Sequence, residues 1–505
     1  MCIRDRDRDE TGPVERPING PVKPANFATV KWRWQHLPEL FVSCLALLVT
    51  ACSSVSLPHD SPALEPGLRR TVVLVPGMTG VELIDHQSGK RAWGGGADLI
   101  GPRDGGYRIA LPISGQDRGA LKPGRVIDRM QLGPVTKSVY GPITEMFENH
   151  GWNRGDLATP AASDNLYFYA YDWRRDNVDS ARRLAAQLEA VAQTQENGQL
   201  AVSLICQSNG GHICRYLVKY GAASLEEAER GEARPPLGVT IEQLILVGNA
   251  NGGSLRILRY LNQGRKYVPW IGRMFYPETL FTFESLYQDL PAYRTDLFVD
   301  EHGDPLRVDL YSSETWRNYG WSVFSGASAR RLEANRRPDL FGDDAARARY
   351  LDDVLGRARR IQALMQRKAD LGQTRYFMIQ SQATPTPERA VLRRDGGRWE
   401  TLISGDQALR ELSVSQDLSG PGDGHATLES QRWLTPDEVN AMGDEPREVD
   451  APHFEMILHP DSLQYILSII ARRVNTAQSS QPQPPPTTGS TWPAARAEGH
   501  QDCAG

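Results

Sequence analysis

The chain has 505 residues, with 57 Lys+Arg against 62 Asp+Glu and a formal net charge of −5. The charges are spread without long runs, which excludes the footprint of a nucleic-acid binder. Six cysteines in this length make no disulfide framework. No His/Cys cluster has zinc spacing, so neither a metal nor a cofactor is expected.

The first thirty residues, beginning "MCIRDRDRDE", are charged and patternless. "KWRWQHLPELFVSCLALLVTACSS" follows. Lys31 and Arg33 give it a basic start, Leu40 to Ala51 a short apolar stretch, and Val49-Thr50-Ala51-Cys52 a small-residue close. This pattern predicts a secretory signal ending in a bacterial lipobox. The apolar run falls short of the about 20 residues that a membrane span needs. The mature chain is expected to begin at a lipidated Cys52, with Ser53 directing it to the outer membrane. Residues 1–51 are then leader and signal peptide, and 52–70 a tether to the membrane surface. At the other end, 476–505 is a Pro/Gln/Ser/Gly mixture that buries too little apolar surface to fold.

Between these ends, "TVVLVPGMTG" (71–80) is an apolar β-branched run closing at Pro-Gly. "LYFYAYDWR" (166–174) is a second strand. Ser180 is placed to cap a helix with Leu184, Leu188 and Val191 on one face. "LAVSLI" (200–205), "IEQLILVGNANGG" (241–253) and "TRYFMIQ" (374–380) are three more strands. The last helix holds Leu463, Ile466, Leu467 and Ile470. Apolar strands alternating with helices predict an α/β fold with a mostly parallel sheet covered on both faces.

From 255 to 368 the alternation stops. This segment reads as a cap inserted over the sheet's C-terminal edge, splitting the core into 71–254 and 369–475. Trp270, Phe275, Phe281, Phe283 and Tyr287 crowd its first part. They are either acyl-chain contacts or the packing of the cap itself. A helix follows with Leu351, Leu355, Ala358, Ile361 and Met365 on one face.

"LICQSNGGHICRYLVKYG" (204–221) is a buried strand, Ser208 among small residues, and a helix with Ile213, Leu217 and Val218 on one side. Lipases and esterases place a nucleophilic serine on such a turn, usually Gly-x-Ser-x-Gly. Here Cys206 stands at the first glycine and Gly210 at the second. The crowded turn needs small residues at both, and cysteine is small enough. Cys206 and Cys214 are expected to be two unbridged core residues.

A nucleophilic serine needs a base, an acid and oxyanion donors. In α/β-hydrolases the order is Ser, Asp, His. Four histidines lie beyond the fifth strand: His425, His453, His459 and His500. His500 is in the tail, His459 opens the last helix, and His425 adjoins the best acid loop. His453, on a turn in "DAPHFEMIL", is the expected base. Asp423, between glycines in "SGPGDGHATLES", is the expected acid, ahead of Asp417, Asp444 and Asp450. The oxyanion donors are expected to be the N–H of Asn209 and, after the tight turn at Gly77, that of Met78.

Taken together and in order, these segments resemble the lecithin–cholesterol acyltransferase family, which includes lysosomal phospholipases and phospholipid–diacylglycerol acyltransferases. "VVLVPGMTGVEL" resembles its first strand and oxyanion loop, and "YAYDWRRD" its Tyr-Asp-Trp-Arg segment. "LVGNANGGSLRIL" resembles its glycine loop, and "FESLYQDLP" part of its cap. "GDGHAT" and "HFEMI" resemble its acid and base loops. The resemblance implies an α/β-hydrolase fold with Ser208 as nucleophile, Asp423 as acid, His453 as base, and Met78 and Asn209 as oxyanion donors. It implies an acyl ester hydrolase or acyltransferase that works on lipid esters through an acyl-serine. This sequence departs from the family in three ways. The elbow lacks its first glycine, Gln207 replaces the histidine before the serine, and no cysteine pair near Trp93 closes the lid found in animal members. The competing reading is a non-catalytic, lipid-binding surface lipoprotein on the same scaffold. A binder has no need of all three triad residues.

Overall fold

Six segments pair into one sheet, and in four of them the apolar runs are buried on both faces. They are β1 (Thr71–Val75), β2 (Leu166–Phe168), β3 (Leu200–Gln207), β4 (Val239–Val247), β5 (Arg375–Gln380) and β6 (Arg447–Glu448). The computed structural model describes residues 70–115, 119–266, 274–412 and 418–472, all within the unit Val55–Gly505. The signal segment, Cys52, Trp270, Asp417, His500 and the Pro/Gln-rich tail lie outside the described residues.

The strand order is β6-β5-β4-β3-β1-β2, and every neighbouring pair is parallel. The order reverses between β3 and β1. Loops leaving two such strands diverge and open a crevice, where ligands of α/β sheets bind. β1 and β3 pair in register, Val75 against Cys206. That register sets residues 76–80 directly beside Ser208.

Helices α1 (Asn177–Thr194), α2 (Gly210–Tyr220), α3 (Leu255–Gln263), α4 (Asp344–Met365) and α5 (Pro460–Ala471) follow the sheet strands or fill the insertion. α1 begins earlier than its sequence suggests. Asp176, not Ser180, is its N-cap, and its side chain accepts from the Val178 and Asp179 amides. A carboxylate at the N-terminus also meets the positive end of the helix dipole, an advantage that a hydroxyl lacks. Ser180 sits inside the first turn and donates to the Asp176 carbonyl (3.0 Å).

Two regions have no counterpart in the sequence reading. Val81–Asp85, Arg91–Trp93 and Leu121–Val126 form a three-stranded antiparallel sheet, and Arg129–Leu132 pairs with Val135–Ser138. Their outward faces are polar, so they show no apolar run. On the insertion side, Phe298–Val299 pairs in parallel with Ala390–Val391 in a four-stranded sheet that continues through Arg398–Ile403. The chain therefore returns to pair with the insertion after β5.

Phe275, Phe281, Phe283 and Tyr287 are each at most 1% exposed. Their rings meet Trp93, Tyr350, Trp173 and Trp316 at centroid distances of 5.3–5.8 Å. Phe275 and Phe283 pack the insertion against the core, and Phe281 and Tyr287 pack within it, which favours the packing reading of these four. Among the described residues, no helix is long and apolar enough to cross a membrane.

Cys206 and Cys214 form a disulfide, with Cα atoms 6.5 Å apart. This corrects the expectation of two unbridged residues. Cys206 is the penultimate residue of β3, and Cys214 lies in the second turn of α2. Helical side chains lean toward the N-terminus, which aims Cys214 back at the strand end. The bond spans the turn that carries Ser208.

Candidate active site

Ser208 is held at φ +53°, in the left-handed region that costs a non-glycine residue on the order of 1–3 kcal/mol. Its amide donates to the Val247 carbonyl (3.1 Å). The Asn249 side-chain amide donates to the Ser208 carbonyl (2.5 Å). These bonds fix the turn and leave the hydroxyl half-exposed at its tip. Space explains two glycines beside the turn. A Cβ on Gly210 would lie 2.4 Å from the Val75 carbonyl oxygen, and one on Gly77 would lie 2.5 Å from Gln207 Oε1.

Ser208 Oγ donates to His453 Nε2 (2.9 Å), and His453 Nδ1 donates to Asp423 Oδ2 (2.8 Å). A carboxylate can only accept, so Asp423 sets this imidazole tautomer. The other carboxylate oxygen, Oδ1, accepts from the amides of His425 and Ala426 (2.7 Å each). The His453 amide in turn donates to the Asp423 carbonyl (2.8 Å). Burial pushes the Asp423 carboxyl up, yet His453, His425 and the Ala426 amide outweigh it and hold it below the usual range. The acid therefore stays ionised beside an imidazole, and a proton accepted at Nε2 leaves a stabilised imidazolium.

Met78 and Asn209 lie where the loops after β1 and β3 converge, and among the described residues neither backbone N–H finds an acceptor. Gln207 explains how this loop is placed without a histidine. Its Oε1 accepts from the Tyr140 hydroxyl (2.7 Å) and from the Gly77 amide (3.1 Å). Trp93 Nε1 donates to the carbonyl of Thr79 (3.0 Å), itself at φ +69°. The Tyr171 hydroxyl donates to the Pro76 carbonyl (2.9 Å) and accepts from Asn209 Nδ2 (3.1 Å). The rest of Tyr-Asp-Trp-Arg is structural. Asp172 pairs with Arg174 at 2.7 Å, and Trp173 Nε1 donates to the Val81 carbonyl (3.0 Å).

The weaker candidates are placed elsewhere. Asp444 is paired with Arg472 and accepts from the Tyr465 hydroxyl. Asp450 is exposed, and His459 caps α5. Three residues near the site escaped the sequence reading. Phe454, 51% exposed, packs its ring 5.1 Å from that of His453. Its signal was an aromatic directly after the expected base. Asp289 lies between His212 and His425, and no sequence spacing links them. A cavity of about 580 Å³, lined by Asp176, Glu284, Asp353 and Arg357 among others, contains none of the triad.

A parallel sheet with a reversal, a serine at positive φ after β3, and Asp and His from later loops decide the architecture. The fold is an α/β-hydrolase fold. No protein-family model matches the chain, and no curated protein is detectably similar in sequence. Among solved structures, the chain is similar to one in the Tle4–Tli4 complex, with a TM-score of 0.51 and 11% identity, covering 79% of this chain and 98% of that one.

Proposed function

We propose that the protein is a serine-dependent acyl ester hydrolase or acyltransferase acting on lipid esters, as in the lecithin–cholesterol acyltransferase family that its motifs resemble. The observation that carries this is the continuous chain Ser208–His453–Asp423, mounted on a strained turn beside two unengaged amides. In this reading His453 takes the Ser208 proton as Oγ attacks the ester carbonyl. The tetrahedral oxyanion sits on the Met78 and Asn209 N–H groups. The leaving alcohol takes the proton from His453, and acyl-Ser208 remains. Water or a second alcohol, deprotonated by the same imidazole, then takes the acyl group. Phe454 offers an exposed apolar surface next to the base, which supports an ester with an acyl chain. A lipidated Cys52 would hold the site at an outer membrane.

A fluorophosphonate probe tests the chemistry. It should label the wild-type chain at Ser208 and fail on Ser208→Ala; labelling that persists in that variant sinks the assignment. Ester turnover with and without an added lipophilic alcohol separates transfer from hydrolysis. A folded, Ser208-labelled protein that turns over no lipid ester would favour the lipid-binding reading. Metabolic labelling with a fatty-acid analogue, lost in Cys52→Ser, tests the anchor.

A further inference from the structure

A second imidazole–carboxylate cluster lies against the triad, and the chemistry proposed above does not use it. Asp289, directly after the short helix Glu284–Gln288 of the insertion, places Oδ1 3.2 Å from His212 Nε2 and Oδ2 3.3 Å from His425 Nε2. Since the carboxylate can only accept, both imidazoles donate their Nε2–H to it and are fixed in that tautomer. His212 is in the first turn of α2, four residues after Ser208; His425 is two residues after Asp423. The His425 ring lies 4.5 Å from the His453 ring, inclined by 38°. Asp289 and His425 are buried. Their backbones are tied to a shared partner: the Ser254 amide donates to the Asp289 carbonyl (2.8 Å), and the Ser254 hydroxyl donates to that of His425 (2.5 Å).

An ionised carboxylate is costly to bury without partners. Burial pushes Asp289 up, and the hydrogen bonds from His212 and His425 outweigh it and hold the carboxyl below its usual range. Burial, with the neighbouring His453, holds His425 below the ordinary histidine range, so at neutral pH it faces His453 as a neutral ring. An imidazole that donates to a carboxylate is more electron-rich than a free one. It is a favourable neighbour for the imidazolium that His453 becomes during acyl transfer.

We propose that Asp289 is a positioning residue for the His453 base: through His425 it fixes the ring on which His453 packs, and through His212 it ties that ring to the nucleophile helix. One carboxylate of the insertion thereby sets the relative placement of the serine, acid and base loops. The proposal rests on the triad reading above.

The test uses a p-nitrophenyl ester, with folded active sites counted by fluorophosphonate titration. Asp289→Asn should lower kcat per titrated site by about 10- to 100-fold, the range expected when a reacting group loses its support, with KM changed less than about threefold. The acid limb of kcat/KM should move to lower pH, because a negative charge favouring the His453 cation is gone. The groups facing His425 are Asp289, Asp423, His453 and, beyond Asp289, His212. α3 adds Tyr260, at 6.5 Å, and Arg256, which donates to the Gly424 carbonyl. His425→Gln keeps a donor for Asp289 but removes the ring, and should show the same kcat loss. It decides the matter alone if Asp289→Asn does not fold. Asp289→Glu should recover part of kcat. A merely structural cluster would lower the thermal midpoint in these variants and leave kcat per titrated site and the acid limb at wild-type values, which would overturn the proposal. If the wild type is not labelled at Ser208 at all, the triad reading falls, and this one with it.

Discussion

The two ends of α2 treat polar groups in opposite ways. At the N-terminal end, Ser208 sits in a strained conformation, half-exposed, and two nearby amides are left without acceptors. Along its body, Arg215 and Lys219 are buried with every charge answered. Arg215 donates twice to Glu438 (2.8 Å each). Lys219 lies 3.7 Å from the same carboxylate and donates to the Met365 carbonyl (3.2 Å) and Thr435 Oγ1 (3.3 Å). Glu438 also accepts from the Thr435 amide (2.9 Å). Burial alone would push Glu438 up; Arg215, its hydrogen bonds and Lys219 outweigh that and pull it down to about 2. One end of the helix holds strain and open hydrogen-bonding capacity, and the other spends its polar groups on cohesion. Burial of charge therefore does not mark the candidate site in this molecule; unfilled capacity does.

The contrast can be broken first at Ser208. Ser208→Gly should lower kcat on an ester substrate by about 10⁴- to 10⁶-fold, as loss of a triad member does. It should also raise stability by about 1 kcal/mol, because glycine adopts positive φ without strain. Turnover and a chemical denaturation curve measured on one preparation check both; a stability loss would remove the strain argument. Glu438→Gln should act the other way, costing about 3–5 kcal/mol by stranding two buried cations, with kcat per folded molecule unchanged.

The same carboxylate sets a pH dependence. Its folded pKa of about 2 lies below the unfolded value near 4.5. Its stabilisation is therefore complete above about pH 4.5 and is lost as pH falls toward 2. Thermal midpoints across that window should decline more steeply in the wild type than in Glu438→Gln.

The Cys206–Cys214 bond lies at the Ser208 end and ties β3 to the second turn of α2. Replacing both by alanine should cost about 2–3 kcal/mol, the entropy expected for so short a closed loop, read from denaturation midpoints with and without reductant. The smallest effect is expected at Phe454. Phe454→Ala should reduce kcat/KM for long-chain esters by about 10-fold, roughly the loss of one apolar contact, and leave short-chain esters near wild type. Equal loss on both would remove Phe454 from acyl-chain recognition.

Five of the six sheet strands were legible because strands buried on both faces read as unbroken apolar runs. β6, two exposed residues paired to β5, has no such run. Ser208, Asp423 and His453 were legible because their order along the chain narrows the choice, and the structure brings these three together. What stayed hidden depends on approach in space. The aromatics of 275–287 read equally as ligand surface or as core until their burial is known. The disulfide requires knowing that α2 turns back over the end of β3. The link from Asp289 to His212 and His425 joins three segments that carry no shared pattern. Asp176 rather than Ser180 caps α1, a choice that the local sequence allows but the apolar spacing alone does not show.

The parallel sheet also assembles the candidate site from segments far apart in the chain. Gly77 and Gln207, which lock the oxyanion loop to the elbow, are 130 residues apart, and Ser208 and His453 are 245 apart. Contacts of such separation form late, after the chain has closed large loops. A growing chain carries Ser208 before the segments that bear Asp423 and His453. On the proposed function, activity would wait until the segments that bear Asp423 and His453 have docked beside Ser208.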